Sequence, residues 1–133
     1  MSQFTIKRLG HQGDGIADGP QGDIYVPYTL PGEVIEGDLT GDRIETPRIV
    51  TPSAQRVKAP CGHFKTCGGC ALQHASDTFL ADWKIEVVRK ALDAQGLRAE
   101  FRPIATSPAQ SRRRATFTGR RTKKGAMVGF HSR

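Results

Sequence analysis

Three cysteines lie within ten residues, in the run Pro60-Cys61-Gly62-His63-Phe64-Lys65-Thr66-Cys67-Gly68-Gly69-Cys70, and the chain has no others. A chain of 133 residues that divides into small units buries a limited core, so a metal staple adds appreciably to its stability. Thiolates separated by two residues can wrap one metal centre, and Gly68-Gly69 lets the backbone fold tightly around it. Three crowded cysteines suit metal ligation better than disulfides. A nucleophilic role is weak, since no acid–base pair is apparent around one thiol. An iron–sulfur cluster needs four protein ligands, usually thiolates, and this chain supplies three. Either the fourth lies beyond residue 133 or a histidine completes the set. His74 sits at C-x3-H from Cys70 and His63 lies inside the loop, so a Cys3His zinc site is chemically reasonable.

Charge is the second constraint. The net +7 conceals an asymmetry: residues 1–50 hold four basic and eight acidic side chains, whereas residues 51–133 hold sixteen basic and five acidic. From Phe101 onward there are nine basic residues and no acidic one. Such a segment attracts a polyanion, because each Lys or Arg that meets a phosphate releases condensed counterions. No apolar run approaches the ~20 residues a membrane span needs. The start, Met1 to Lys7, lacks the apolar stretch and small-residue cleavage site of a signal peptide. The expected compartment is the cytoplasm, with no membrane partner.

Fifteen Gly and eight Pro imply many turns and short strands. Phe4 and Ile6 alternate with polar neighbours, as do Ile24 and Val26, and Pro27 closes that run. Leu30-Pro31-Gly32-Glu33 has Pro and Gly placed for a type II bend. Val34-Ile35 opens another strand, and a last one is expected at Arg43–Val50. Strands at this spacing suggest a small antiparallel barrel of OB or SH3 type. Gly13-Asp14-Gly15 lacks the third glycine and following helix of a nucleotide loop, so it reads as a hairpin turn. Thr51–Pro60 is a polar linker. One helix is expected from about Asp77 to Gln95, with Phe79, Leu80, Trp83, Val87, Val88, Ala91 and Leu92 on one core-facing stripe. Ser76 or Asp77 caps it and Gly96-Leu97 stops it. Strand-like alternation resumes after Phe101, with a hairpin turn at Lys123-Lys124-Gly125 before Ala126–Phe130. The fold class is therefore mainly β with one long helix (α+β), and the chain stops at Arg133 partway through an element.

The block Cys61-x5-Cys67-Gly68-Gly69-Cys70-Ala71-Leu72-Gln73-His74 resembles the cluster motif of the S-adenosylmethionine-dependent RNA uracil-5-methyltransferases, especially the branch acting on large-subunit ribosomal RNA. Gly13-Asp14-Gly15-Ile16-Ala17 and Thr29-Leu30-Pro31-Gly32-Glu33 resemble that branch's N-terminal TRAM domain, an OB-like barrel. Arg112-Arg113-Arg114-Ala115 followed by Gly129-Phe130 is similar to the start of its central-domain sheet. One departure is Ser111, where many relatives have a tyrosine.

The resemblance implies a TRAM barrel over 1–52, the cysteine motif over 53–75 and the beginning of the central domain over 76–133. It implies a [4Fe-4S] cluster on Cys61, Cys67 and Cys70, with a fourth cysteine expected beyond Arg133. RNA, expected to be ribosomal, is the implied partner, with Arg112, Arg113, Arg114, Arg120, Arg121, Lys123 and Lys124 on phosphates and the full-length protein a monomer. Catalysis is implied to lie elsewhere: a further domain binds S-adenosylmethionine and supplies the cysteine that adds to uracil C6. This chain alone is then expected to hold RNA and catalyse nothing. Two other readings stay open: a stand-alone zinc-stabilised RNA-binding module on Cys61, Cys67, Cys70 and His74, and an iron–sulfur redox module.

Overall fold

The structure, a computed structural model, describes residues 2–132. Five short antiparallel strands open the chain: β1 (Ser2–Leu9), β2 (Gly15–Gly19), β3 (Gly22–Val26), β4 (Val34–Gly37) and β5 (Arg48–Thr51). They form one sheet in the order β3-β2-β1-β4-β5. The central strand divides its two edges between two neighbours. Ser2 to Thr5 pair with β4, and Ile6 to Leu9 pair with β2 across a register shift between Ile6 and Arg8. An irregularity of this kind bends a strand and increases its twist, so the sheet curls. The curl brings the β3 edge against residues 42–44, where the Tyr25 N–H donates to the Asp42 carbonyl and the Ile44 N–H donates to the Tyr25 carbonyl. β3 and β5 are not paired with each other among the described residues, so strand pairing does not close the sheet.

The strands deliver Ile6, Ala17, Ile24, Val26 and Ile35 into one buried cluster that Ile44 joins from the β4–β5 connection, with Phe4, Leu39 and Ile49 packed on it. Each such aliphatic side chain contributes about 1.5–3 kcal/mol on burial. The Leu30–Glu33 turn has the expected geometry: Gly32 has φ +86° and the Glu33 N–H returns to the Leu30 carbonyl at 3.1 Å. A side chain at that φ is strained, which is why glycine occupies the third position of a type II bend. The Gly13-Asp14-Gly15 segment likewise sits in the β1–β2 hairpin connection.

Three expectations need correction. The strand expected over Arg43–Val50 is confined to Arg48–Thr51. Pro47 has no N–H to give a ladder, and Arg43 and Ile44 turn away to the β3 edge, which puts Ile44 in the core. The linker over Thr51–Pro60 is pinned: the Val57 N–H donates to the His74 carbonyl and the Ser76 N–H to the Gln55 carbonyl. The strand-like pattern after Phe101 becomes regular only at β6 (Thr118–Thr122) and β7 (Gly125–Gly129). Arg112–Arg114 therefore lie in an irregular, exposed segment outside any strand.

The helix α1 (Asp77–Asp93) is capped by Ser76, whose side-chain oxygen accepts from the Phe79 N–H at 3.2 Å. It ends where Gly96, at φ +70°, donates to the Asp93 carbonyl and Leu97 donates to the Leu92 carbonyl. That pair of bonds is a Schellman ending, which favours glycine at its left-handed position. The apolar stripe is only partly covered. Phe79, Leu80 and Trp83 pack on a second cluster of Leu9, Leu30 and Ala75, but no helix residue is fully buried and Val88 stays exposed. Beside them an open groove of about 700 Å³ runs between α1 and β1, lined in part by Leu9, Pro31, Phe79, Trp83 and Val87. Among the described residues no helix is long and apolar enough to cross a membrane.

Candidate nucleic-acid interface

The cysteine loop is fastened to the curled sheet by an aromatic wedge. Phe64, buried inside the loop, lies edge-on to Tyr28 with ring centroids 5.4 Å apart and 5.7 Å from the ring of His74. The Tyr28 hydroxyl donates to the Lys65 carbonyl at 2.8 Å. Tyr28 adopts φ +64°, a left-handed backbone uncommon outside glycine. Its carbonyl accepts a bond of 2.6 Å from Arg56, which helps hold that conformation.

Arg56 also grips Glu33, the one fully buried acidic group among the described residues. Its guanidinium gives two hydrogen bonds, of 2.6 and 2.8 Å, to the two oxygens of Glu33. Glu33 is 0% exposed and accepts two further bonds, from the Leu30 and Ser53 amides. Burial is the largest influence on this carboxyl and pushes its pKa up. The Arg56 bonds, then the Ser53 and Leu30 amides and the Arg56 charge, outweigh burial and leave it below the ordinary value. The sequence places Glu33 in a turn and in the block that resembles a TRAM domain, and Arg56 in a linker, without pairing the two. The one signal available was an acidic residue following Leu-Pro-Gly in an otherwise apolar stretch.

Cys61 and Cys70 are exposed and Cys67 is half-buried, with no disulfide joining them. Two features of the loop suit a metal-bearing turn. The Gly69 N–H donates to Cys67 Sγ at 3.3 Å, and hydrogen bonds to sulfur are among the groups that tune a cluster. The absence of side chains at Gly68 and Gly69 lets another segment press against the loop. A Cβ on Gly68 would sit 2.7 Å from the His131 carbonyl oxygen, and one on Gly69 would sit 3.1 Å from the Phe130 ring. The thiols are not, however, assembled into a ligand set: among the described residues no three His, Cys, Asp or Glu side chains are gathered to hold a metal ion. The loop carries donors of the right chemistry without converging them. His74, weighed above as a fourth ligand, is 3% exposed, packs near Phe64, and has Nε2 3.0 Å from the Thr29 carbonyl. Donation to that carbonyl gives the ring a structural role beneath the loop.

The cations of residues 1–50 differ from those of the run Arg112 to Lys124. In residues 1–50 all four are in ion pairs: Lys7 with Asp18 and Asp23, Arg8 with Asp23, Arg43 with Asp14 and Glu45, and Arg48 with Glu36. The Lys7 bonds to Asp18 and then Asp23 raise its pKa, and the same Lys7 bond holds Asp23 below the ordinary carboxylate value. These cations are already neutralised locally. By contrast, Arg112, Arg113, Arg114, Arg120, Arg121, Lys123 and Lys124 are exposed, and no ion pair among the described residues engages them. Arg120, Arg121 and the turn Lys123-Lys124 share the β6–β7 hairpin, in which Arg120 faces Met127 and Arg121 faces Ala126. The hairpin touches the cysteine loop through the Gly68 N–H, which donates to the His131 carbonyl at 2.7 Å, and through a bridge between Cys67 and Ser132. The structure thus connects the cysteine loop to the basic hairpin, and the Arg112–Arg114 run precedes that hairpin in the chain.

No family model matches the chain. It is similar to a protein of Brucella suis named as an uncharacterized RNA methyltransferase, at 43% identity over 97% of this chain and 31% of that protein. It is also similar to a protein of Francisella tularensis subsp. novicida named as a 23S rRNA (uracil(1939)-C(5))-methyltransferase, at 35% identity over 98% of this chain and 32% of that protein. Among solved structures, the Pyrococcus abyssi tRNA (uracil-54, C5)-methyltransferase in complex with S-adenosyl-L-homocysteine aligns with 76% of this chain and 23% of that one. That alignment has 29% identity and a TM-score of 0.48. The chain spans about a third of the length of the sequence relatives it matches.

Proposed function

We propose a function for a chain that is related, over nearly its whole length, to one third of the RNA uracil-5-methyltransferases: it holds the RNA on which such an enzyme acts. The observation that carries this reading is the contrast between the two sets of cations. Those of the barrel are paired with carboxylates, while the seven from Arg112 to Lys124 are exposed and face no acidic neighbour over the last 33 residues. Each phosphate met by one of them releases condensed counterions, which supplies sequence-independent affinity. The barrel contributes shape more than charge.

In this reading the substrate is uridine in ribosomal RNA, and the methyl donor is S-adenosylmethionine. The donor site and the nucleophilic cysteine belong to the part of the relatives that this chain does not span. Cys61, Cys67 and Cys70 serve as thiolate ligands of a [4Fe-4S] cluster, with a fourth ligand from outside the described residues. The cluster fastens the loop instead of taking part in methyl transfer, with the Gly69 amide donating to the Cys67 sulfur.

The test is RNA binding across a salt series. Replacing Arg112, Arg113 and Arg114 together with Ala weakens binding and lowers the slope of log K against log salt by about 2, since each neutralised phosphate of a single strand contributes about 0.7. A triple variant with the parental slope would remove these arginines from the interface. Anaerobic purification with iron and sulfide analysis tests the cluster separately. About four irons per chain support it, and stoichiometric zinc without colour overturns it.

A further inference from the structure

The β6–β7 hairpin carries an aromatic pair that the charge argument leaves unused. Phe117 and Phe130 flank the Thr118–Gly129 pair that ends the ladder, with ring centroids 5.0 Å apart and planes inclined at 58°. Phe117 is 56% exposed and Phe130 is 43% exposed. This large apolar ring, more than half open to water, lies beside exposed cations, and Met127 and Val128 on the paired strand are exposed as well. Its surroundings point outward as well. Gly119 is next on the same face of β6, and a side chain there would meet open space. Arg121 follows on that face, about 13 Å from Phe117 at the usual strand rise. The neighbouring Thr118 hydroxyl lies 3.0 Å from His131 Nε2.

The inner ring has a support. Phe130 presses on the cysteine loop at Gly69, where even a methyl group would come within 3.1 Å of it. The adjacent His131 carbonyl accepts from the Gly68 amide. The layers therefore run from the glycine pair of the cysteine loop to Phe130, then to Phe117, then to solvent. An aromatic face backed by the cysteine loop and set beside exposed cations suits an unstacked nucleobase whose phosphates the arginines hold.

We propose that Phe117 is a stacking platform for an unpaired base, with Phe130 as its buttress, and that this pair directs the interface to single-stranded RNA over duplex. The inference rests on the RNA-binding reading above and deepens it by naming the substrate class. Paired bases in a helix keep their faces covered by their neighbours and cannot use the platform, whereas every unpaired base can.

The experiment compares binding of a labelled oligouridine and of a perfectly paired RNA duplex to the parent chain and to the Phe117→Leu and Phe117→Trp variants. Leucine keeps apolar bulk and removes the π face. It is expected to weaken oligouridine binding roughly 5- to 100-fold and to change duplex binding less than about twofold, while tryptophan restores or improves oligouridine binding. Equal losses on both RNAs, or no loss on either, would overturn the platform. An Arg120→Ala/Arg121→Ala variant run beside them separates the two readings. If it weakens both RNAs while Phe117→Leu changes neither, the RNA-binding function stands and the platform falls. A parent chain that binds neither RNA would end both.

Discussion

Replacing Arg56 with Met should expose how the barrel is fastened to the segment that follows it. The guanidinium is 24% exposed and its partner Glu33 is sealed, so the substitution strands a carboxylate inside the protein. Removing one member of a buried pair typically costs about 3–5 kcal/mol, mostly as the penalty on the charge left behind. Glu33 keeps the Leu30 and Ser53 amides, which places the expectation at the lower end, about 3 kcal/mol. For a chain of this size that corresponds to a Tm lower by roughly 10–15 °C. The pH dependence gives a second, independent reading. In the parent chain the Glu33 carboxyl lies below its ordinary value of 4.5, so its stabilisation is complete above that value and is lost as pH falls through the depressed folded pKa. In the variant burial acts without the guanidinium, the folded pKa rises, and protonation relieves the penalty as pH falls. Thermal unfolding followed by circular dichroism should therefore show the widest gap between parent and variant near pH 7, narrowing toward pH 4.5. A gap under about 1 kcal/mol at pH 7, the scale of an exposed pair, or one that widens on acidification, would refute this account of the pair.

Phe64→Ala removes the wedge between Tyr28 and His74 and should cost about 3 kcal/mol, the lower end for a buried aromatic. Limited proteolysis should then cut within Cys61–Cys70 faster than in the parent, and equal rates would mean that the loop is held by other contacts. Gly68→Ala forces a methyl to 2.7 Å from the His131 carbonyl oxygen, so the hairpin must shift. The expectation is a loss of about 1–3 kcal/mol and faster hydrogen exchange at the Gly68 amide. Protection like that of the parent would show that the contact is dispensable. Ser76→Ala deletes the acceptor for the Phe79 amide and should lower stability by about 1 kcal/mol in urea with an unchanged m-value.

Features set by local chemistry were legible in the sequence. Alternation placed Phe4, Ile6, Ile24 and Val26 on strands, because a half-buried strand can hide only every second side chain, and Val34-Ile35 opened another after the bend. Pro31-Gly32 fixed a bend, Ser76 and Gly96 bounded the helix, and Lys123-Lys124 turned the last hairpin, each through a preference that acts over four or five residues. The resemblance to RNA uracil-5-methyltransferases was likewise legible, most specifically in the block from Cys61 to His74, and the similarity extends over 98% of the chain. The tertiary structure decided what depends on residues distant in the chain. It paired Glu33 with Arg56 across 23 positions, set Phe64 between Tyr28 and His74, and left the α1 stripe facing a groove that periodicity alone read as core. It also drew Ile44 out of an expected strand, because the curl of the sheet brought the β3 edge within reach of its amide. Local pattern specifies which side chains seek burial, but which partner each one meets is set by the twist and closure of the whole sheet.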